Sequence, residues 1–439
     1  MRKTIDLRTR LPGAQARKYL GLSKQYESGG MTNQIPIVWK KGLGIQVEDV
    51  DGNKFMDFTS GVLVANIGHC HPKYVEEIKK QAEELHHCYD FITPWRVELA
   101  KKLVEITPAN LDRAFILTTG SEATEAAIRL ARCYTGKQEI IAFHGGFHGR
   151  TYGAMSLAGK AGTKKGFGTG VPGTVFFPYP YCYRCLLGKK YPECRMACFE
   201  MFDRILERES SGNVGAMIIE PYQGGSGFVF PPKGFLKKVE KWCNARKILL
   251  ILDEVQASFG RTGKMFAAEH EGLMPNLMCL GKGLGSGLAT SALMGESKIF
   301  AVLKPGSMSS THGGNPMSSR AALSAIRIIE DERLSDNARK TGKYLLERFK
   351  TMERKYKILG EARGMGLVMG LEMVKDKKTK EPAPLLAKKL SYGCYRRGLI
   401  LGWLGFYGNV IRIAPPLVIT QDQASEGADI IEKVLKELC

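Results

Sequence analysis

Short unbroken apolar runs alternate along this chain with longer amphipathic stretches. AFILTT (114–119), AMIIEP (216–221) and ILLILD (248–253) carry no polar alternation, the pattern of strands buried on both faces of a parallel sheet. Between them lie EATEAAIRLARCY (122–134) and PKGFLKKVEKWCNAR (232–246), which read as helices. Strand and helix in alternation predict a mostly parallel α/β sheet. GIQVEDVDGNKFMDFTSG (44–61) sets an Asp-Gly turn between two alternating segments and predicts a hairpin. After about residue 325 the texture changes to a long charged helical segment, NARKTGKYLLERFKTMERKY (337–356), and shorter mixed elements. A second, smaller α/β domain is expected there. The expected division is an N-terminal segment 1–60 joining that small domain, a large domain 61–325 with a cysteine-rich insertion at 180–200, and the small domain 326–439.

At 439 residues, 44% hydrophobic and 25% charged, the chain can bury a large core and has the balance of a globular protein. The formal charge of +20 invites anionic partners, but the excess is spread, with only short clusters such as KDKKTK (375–380). A solvated surface accounts for it, and neither nucleic acid nor a membrane is an expected partner. No stretch approaches a membrane span and the N-terminus lacks an apolar signal core. A cytoplasmic location is expected, and the 11 dispersed cysteines suit it.

The candidate chemistry begins where ILLILD ends in two carboxylates, Asp253 and Glu254. Ligands in open α/β folds bind beyond the carboxyl ends of buried strands, so an acid there faces the crevice. LTTGSEATEAAIRLAR (117–132) reads as strand, turn and helix, with Gly120 allowing close backbone approach and Ser121 as helix N-cap. Free N–H groups and the helix dipole make such a turn an anion site. No Walker A pattern occurs. CLGKGLGSGL (279–288) sets Lys282 among four glycines, and a desolvated lysine with a lowered pKa is a nucleophile towards an aldehyde. FHGGFHGRTYG (143–153) adds an aromatic, Phe147. Lysine, ring acid, phosphate turn and stacking aromatic together are the requirements of pyridoxal phosphate.

With these parts in place the chain resembles the class III aminotransferases of pyridoxal-phosphate fold type I, the group of 4-aminobutyrate, ornithine and acetylornithine aminotransferases. PGAQARKYL, VDGNKFMDFTSGV, NIGHCHP, TTGSEATEAAIRLAR, GFHGRT, IIEPYQG, LDEVQASFGRTG, GKGLGSGL, STHGGNP and IRIAPPL follow in the family's order over nearly the whole chain. The resemblance implies a seven-stranded-type large-domain sheet with a smaller α/β domain, an imine link at Lys282 and a pairing of Asp253 with the cofactor's pyridinium nitrogen. It also implies that Val255 packs beneath the ring, Gln256 bonds its phenolic oxygen and Phe147 stacks on the other face. Gly120 and Ser121 would hold the phosphate, joined by Thr311 of a neighbouring subunit in a homodimer. Glu220 matches a family acid near the site.

For substrate, the resemblance gives Arg412 as carboxylate clamp, Arg150 as a second arginine for 2-oxoglutarate or 4-aminobutyrate, and Val62 as a pocket contact. A guanidinium fork suits bidentate carboxylate binding. One departure stands out: where relatives acting on ω-amino donors carry a glutamate that pairs with the clamp arginine, EPYQGGSGF has Gly225. Transfer of an amino group from an amino acid to a 2-oxo acid such as 2-oxoglutarate or pyruvate is the expected reaction. Racemisation or decarboxylation of α-amino acids is the alternative.

Cys182, Cys185, Cys194 and Cys198 follow a C-x2-C-x8-C-x3-C spacing. Structural zinc, unliganded buried thiols and a disulfide are the three readings it leaves open. Zinc and basic charge together also raise a zinc-knuckle nucleic-acid binder, against which the lysine, ring acid and phosphate turn stand.

Overall fold

The computed structural model describes residues 4–31 and 34–439. Seven strands build its central sheet: β1 (Arg113–Leu117), β2 (Glu139–Phe143), β3 (Thr174–Phe177), β4 (Val214–Ile219), β5 (Leu249–Asp253), β6 (Leu277–Leu280) and β7 (Ser291–Gly295). Across the sheet they lie in the order β1-β7-β6-β5-β4-β2-β3. Only β7 runs against its neighbours; every other pairing is parallel. β4, β5, β6 and β7 are buried at every position, which is why their sequences lack polar alternation. Because β1, β4, β5 and β6 point the same way, the segments that follow them meet along one edge of the sheet.

Helix α1 (Gly120–Thr135) lays Ala123, Ala127, Leu130 and Ala131 onto one face of this sheet, against Ile140, Ile218 and Ile251. The small alanines let helix and sheet approach closely. Its start differs from expectation. Thr119, not Ser121, is the N-cap: its hydroxyl accepts from the Glu122 N–H at 3.2 Å, and the Glu122 carboxylate accepts from the Thr119 N–H at 2.9 Å. This reciprocal capping box outcompetes a lone serine two residues later and leaves Ser121 inside the first turn.

The two remaining sheets have four strands each. One joins Trp39–Leu43, Gln46–Asp49 and Lys54–Asp57 to Leu399–Ile400; the other is formed by Leu359–Met365, Val368–Met373, Val410–Ile413 and Gly402–Leu404. The expected hairpin is present, with Gln46–Asp49 antiparallel to Lys54–Asp57. Its second strand then pairs in parallel with Leu399–Ile400, Met56 opposite Leu399. Helix α2 (Phe235–Ala245) and the long α3 (Leu334–Lys355) occupy the expected helical stretches. Among the described residues no helix is long and apolar enough to cross a membrane.

Beyond the hairpin, Ser60, Gly61, Val62 and Leu63 have φ of +50°, +56°, +68° and +61°, one turn of left-handed helix in which each non-glycine residue costs about 1–2 kcal/mol. A fully buried arginine holds it. Arg261 donates to Ser60 Oγ at 3.2 Å, Asn66 Oδ1 at 2.6 Å, and the carbonyls of Leu367 and Pro415 at 3.0 and 2.6 Å.

Candidate active site

The carboxyl ends of β1, β5 and β6 open on a cavity of about 210 Å3 lined by Gly120, Ser121, Phe147, His148, Glu220, Gly225, Asp253, Val255, Gln256 and Lys282, among others. Ten residues from five separate stretches of sequence thus converge on one space. Asp253, the last residue of β5, pairs with Cys279 of β6 in parallel register, and Lys282 follows two residues beyond the end of β6. The Lys282 backbone sits at φ +46°. Its conformation is fixed from behind, where a Cβ on Gly283 would lie 2.4 Å from Asn66 Nδ2, and Asn66 in turn donates to the Phe259 carbonyl at 2.8 Å. Gly120 is needed for the same reason of close approach: a Cβ there would lie 2.7 Å from Val255 Cγ1.

Asp253 is not alone. His148 Nδ1 lies 2.7 Å from Asp253 Oδ2, with both side chains buried, and the Val255 N–H donates to the other carboxylate oxygen at 3.1 Å. Burial by itself would depress the His148 imidazole, but the hydrogen bond and charge of Asp253 outweigh it and raise its pKa. The hydrogen-bonded pair lines the cavity, with His148 orienting the Asp253 side chain. Burial lowers the pKa of Lys282, with Asp253 and Glu220 opposing and Arg412 reinforcing the shift. Burial pushes Glu220 up to about 7, against the pull of His148. Glu220 accepts from the Phe147 N–H at 2.9 Å and the Gly224 N–H at 3.0 Å, so it ties together the two walls that carry Phe147 and Gly225. The second acid of the opening pair does something else. Glu254 is fully buried, accepts from the N–H groups of Ala267 and Ala268 at 3.1 and 2.6 Å, and does not line the cavity.

Arg412, on the strand Val410–Ile413, is half-buried; its Nε is sealed from solvent with no hydrogen-bond partner, and no carboxylate pairs with its guanidinium among the described residues. Burial lowers its pKa to about 10. Arg150 is exposed at the rim, its guanidinium 5.8 Å from the Phe147 ring centre and its N–H donating to Ser121 Oγ at 3.1 Å. Gly225 lies against Phe147: a Cβ there would fall 3.3 Å from Phe147 Cβ, tighter than an ordinary contact. Val62 is 45% exposed on the left-handed turn and does not line this cavity. Thr311 is likewise exposed and outside it.

His148 was missed in the sequence. A histidine between Phe147 and Gly149 in a glycine-rich loop reads as a loop residue, and its partner lies 105 positions away. A signal existed in retrospect, because a buried strand-terminal carboxylate needs a donor that the strand itself does not supply.

The zinc expectation finds no support in the structure. Cys182, Cys185, Cys194 and Cys198 do line one small cavity, walled by Tyr179, Tyr181, Leu186 and Pro232, but no group of three or more His, Cys, Asp or Glu side chains is placed to hold a metal ion among the described residues. Burial and the neighbouring thiols push Cys182 up to about 11. All four are free thiols, so the disulfide reading fails.

Comparison with known proteins sets this geometry in a family. The model of the class-III aminotransferases matches residues 28–435. The leucine/methionine racemase of Thermococcus litoralis is 38% identical over 420 residues, covering 95% of this chain and 94% of that protein. The 4-aminobutyrate aminotransferase of Mycobacterium tuberculosis is 36% identical over 447 residues, covering 100% and 99%. Among solved structures, an ornithine aminotransferase from Toxoplasma gondii, with PLP at partial occupancy in its active site, superposes with a TM-score of 0.85 at 28% identity, covering 96% of this chain and 94% of that one. A seven-stranded, mostly parallel sheet with lysine and acid at its carboxyl edge, matched by a family model over nearly its full length, makes this chain a member of the class-III aminotransferase family.

Proposed function

We propose that the protein binds pyridoxal 5'-phosphate at Lys282 and transfers an amino group from an amino acid to a 2-oxo acid such as 2-oxoglutarate or pyruvate. The observation that carries this reading is the meeting of Lys282 with the Asp253–His148 pair in one cavity. The residues present fit the cofactor. His148 Nε2 and Gln256 Oε1 are buried polar atoms with no partner, the first turn of α1 offers free N–H groups to a phosphate, and Gly120 clears the approach. When bound, the cofactor supplies an electron sink for the bonds at the substrate's α carbon. Asp253 would pair with its ring nitrogen, and His148 orients Asp253 through the 2.7 Å hydrogen bond. Phe147 and Val255 form the two faces of the slot. Lys282, with its lowered pKa, holds and returns the proton that moves at the reacting carbon. Arg412 is a half-buried cation with no carboxylate partner among the described residues, and Arg150 at the rim suits the second carboxylate of a dicarboxylic acceptor.

A second reading, racemisation of an α-amino acid, is favoured by one observation: Gly225 leaves Arg412 without the switching acid, so the same arginine binds an α-carboxylate in either direction. The similarity to a leucine/methionine racemase points the same way. A half-reaction screen separates the two. Individual L-, D- and ω-amino acids are added to the yellow holoenzyme, and conversion to the pyridoxamine form with release of a 2-oxo acid supports transfer. Loss of optical rotation with no oxo acid formed and no acceptor required sinks transfer in favour of racemisation.

A homodimer in a cytoplasmic setting belongs to the same reading. Thr311 is exposed and outside its own chain's cavity, free to reach a neighbour's. Phe91 and Ile92, 78% and 84% exposed, add an apolar surface of the kind that a partner subunit covers.

A further inference from the structure

The cysteine-rich segment has no role in the reading above, yet a buried polar chain joins it to the wall of the cavity. Tyr181, through its hydroxyl, and Arg184, through Nε, both donate to Glu372. That carboxylate is fully buried on the strand Val368–Met373. Arg363, on the adjoining strand Leu359–Met365, donates to the same carboxylate at 2.6 Å and to the Tyr181 hydroxyl at 3.1 Å. The remaining edge of its guanidinium faces the other way. Nε and Nη2 of Arg363 donate to the Gly227 carbonyl at 3.0 and 2.7 Å, and Nε also to the Phe228 carbonyl at 3.0 Å.

Those carbonyls belong to a tight return of the chain, closed by paired backbone hydrogen bonds between Gln223 and Val229 at 2.9 and 3.1 Å. Gly225 lies at its tip and lines the cavity beside Phe147. One planar guanidinium therefore spans from the cysteine-rich segment's anchor to the substrate wall. Its two sides are coupled by charge as well as by geometry. Arg363 and Arg184 face Glu361 and Glu372 in a balanced, partly buried group centred on the fully buried Glu372, so loss of one cation leaves an excess acid that draws the remaining one.

We propose that Arg363 is a positioning residue that sets the Gly225 wall of the pocket, and that the cysteine-rich segment tunes substrate fit through Tyr181 and Arg184. The kinetic consequence rests on the amino-acid pocket proposed above; the mechanical link does not. In an Arg184→Gln holoenzyme Arg363 turns towards Glu372 and away from the Gly227 and Phe228 carbonyls.

Two measurements on that variant test the link. Hydrogen exchange followed by mass spectrometry is expected to quicken by about ten-fold in the peptide spanning 223–229, and the donor KM to rise about three- to ten-fold with kcat within about two-fold, the size of coupling that such networks carry. The cofactor absorbance is expected to stay as in the parent, and Arg184→Lys to restore most of the KM. A merely structural role would accelerate exchange within 180–200 and lower the melting temperature, leaving 223–229 and the KM unmoved; that result overturns the proposal. If Arg184→Gln does not fold, Tyr181→Phe removes a single O–H donor from the same carboxylate and is judged by the same two readouts. A parent enzyme that shows no half-reaction with any amino acid would refute the proposed function, and exchange at 223–229 would still decide the link.

Discussion

Arg412 is a half-buried cation without a carboxylate partner among the described residues, and replacing it by methionine is expected to stabilise the resting protein while crippling substrate binding. The fall of its pKa from an ordinary 12.5 to about 10 corresponds to about 3 kcal/mol held against the charged form. The sign follows from the direction: a depressed base is destabilising wherever it remains charged, so the penalty is complete through the neutral range and fades only as pH climbs past about 10. Methionine has a similar reach, no charge and a flexible fit, and such exchanges of buried charge for apolar bulk raise stability in other proteins. Allowing for imperfect packing, a gain of about 1–2 kcal/mol is expected, or roughly 1–2 °C at this chain length. Against this, a substrate carboxylate loses its bidentate charged hydrogen bonds, and the KM for donor and acceptor is expected to rise about 10- to 100-fold. Calorimetry of parent and Arg412→Met without substrate, repeated with saturating 2-oxo acid, checks both halves. The parent gains from the ligand and the variant does not. A variant that melts lower than the parent without ligand, or one that keeps its KM, would refute the argument that this arginine waits unpaired for a carboxylate.

Borohydride reduction of the holoenzyme is expected to fix the cofactor on Lys282 by peptide mapping, and Asp253→Asn to keep the colour yet lose turnover by about 10^3-fold or more, as removal of a group acting on the transition state does; an adduct on another lysine would reassign the site. His148→Asn is expected to lower the melting temperature most below pH 6.5: an imidazole whose folded pKa is raised contributes its full stability below the unfolded value and loses it as pH rises through the folded one. A parent–variant gap that widens with pH would contradict the ion pair with Asp253. Gly120→Ala, which sets a methyl 2.7 Å from Val255 Cγ1, is expected to weaken cofactor binding by about ten-fold or more, since overpacking costs about 1–3 kcal/mol; dialysis against a phosphate buffer followed by absorbance measures it. Mixed preparations of Lys282→Ala and Thr311→Ala chains are expected to show activity that differs from the average of the two, and an active monomer in sedimentation would rule out the shared site.

The parts of the site that the sequence disclosed are those whose signal is local. Asp253 ends a strand buried at every position, Lys282 stands among glycines, and the turn before α1 carries its own capping residues; each can be read in a window of ten. The Ser121 cap was misplaced even so, because three hydroxyl residues, Thr118, Thr119 and Ser121, precede one glutamate and only the reciprocal spacing of Thr119 and Glu122 decides among them. What stayed hidden is what depends on distant partners. His148 meets Asp253, Glu220 bridges Phe147 and Gly224, and Arg363 spans from Glu372 to Gly227. The left-handed turn was hidden for another reason: Val62 and Leu63 favour extended or right-handed backbone, and only the hold of Arg261 on Ser60 and Asn66 reverses that preference.

The parallel pairing of Lys54–Asp57 with Leu399–Ile400 has a consequence for how a cell makes this protein. The N-terminal hairpin leaves the ribosome early, but the strand it must lie beside is translated more than 300 residues later. At the usual pace of synthesis the hairpin waits about 20–70 s with Val47 and Phe55, buried in the finished fold, still facing water. Throughout that interval the nascent chain carries an unpaired, partly apolar strand edge of the kind that chaperones cover, and slowing translation prolongs the exposure.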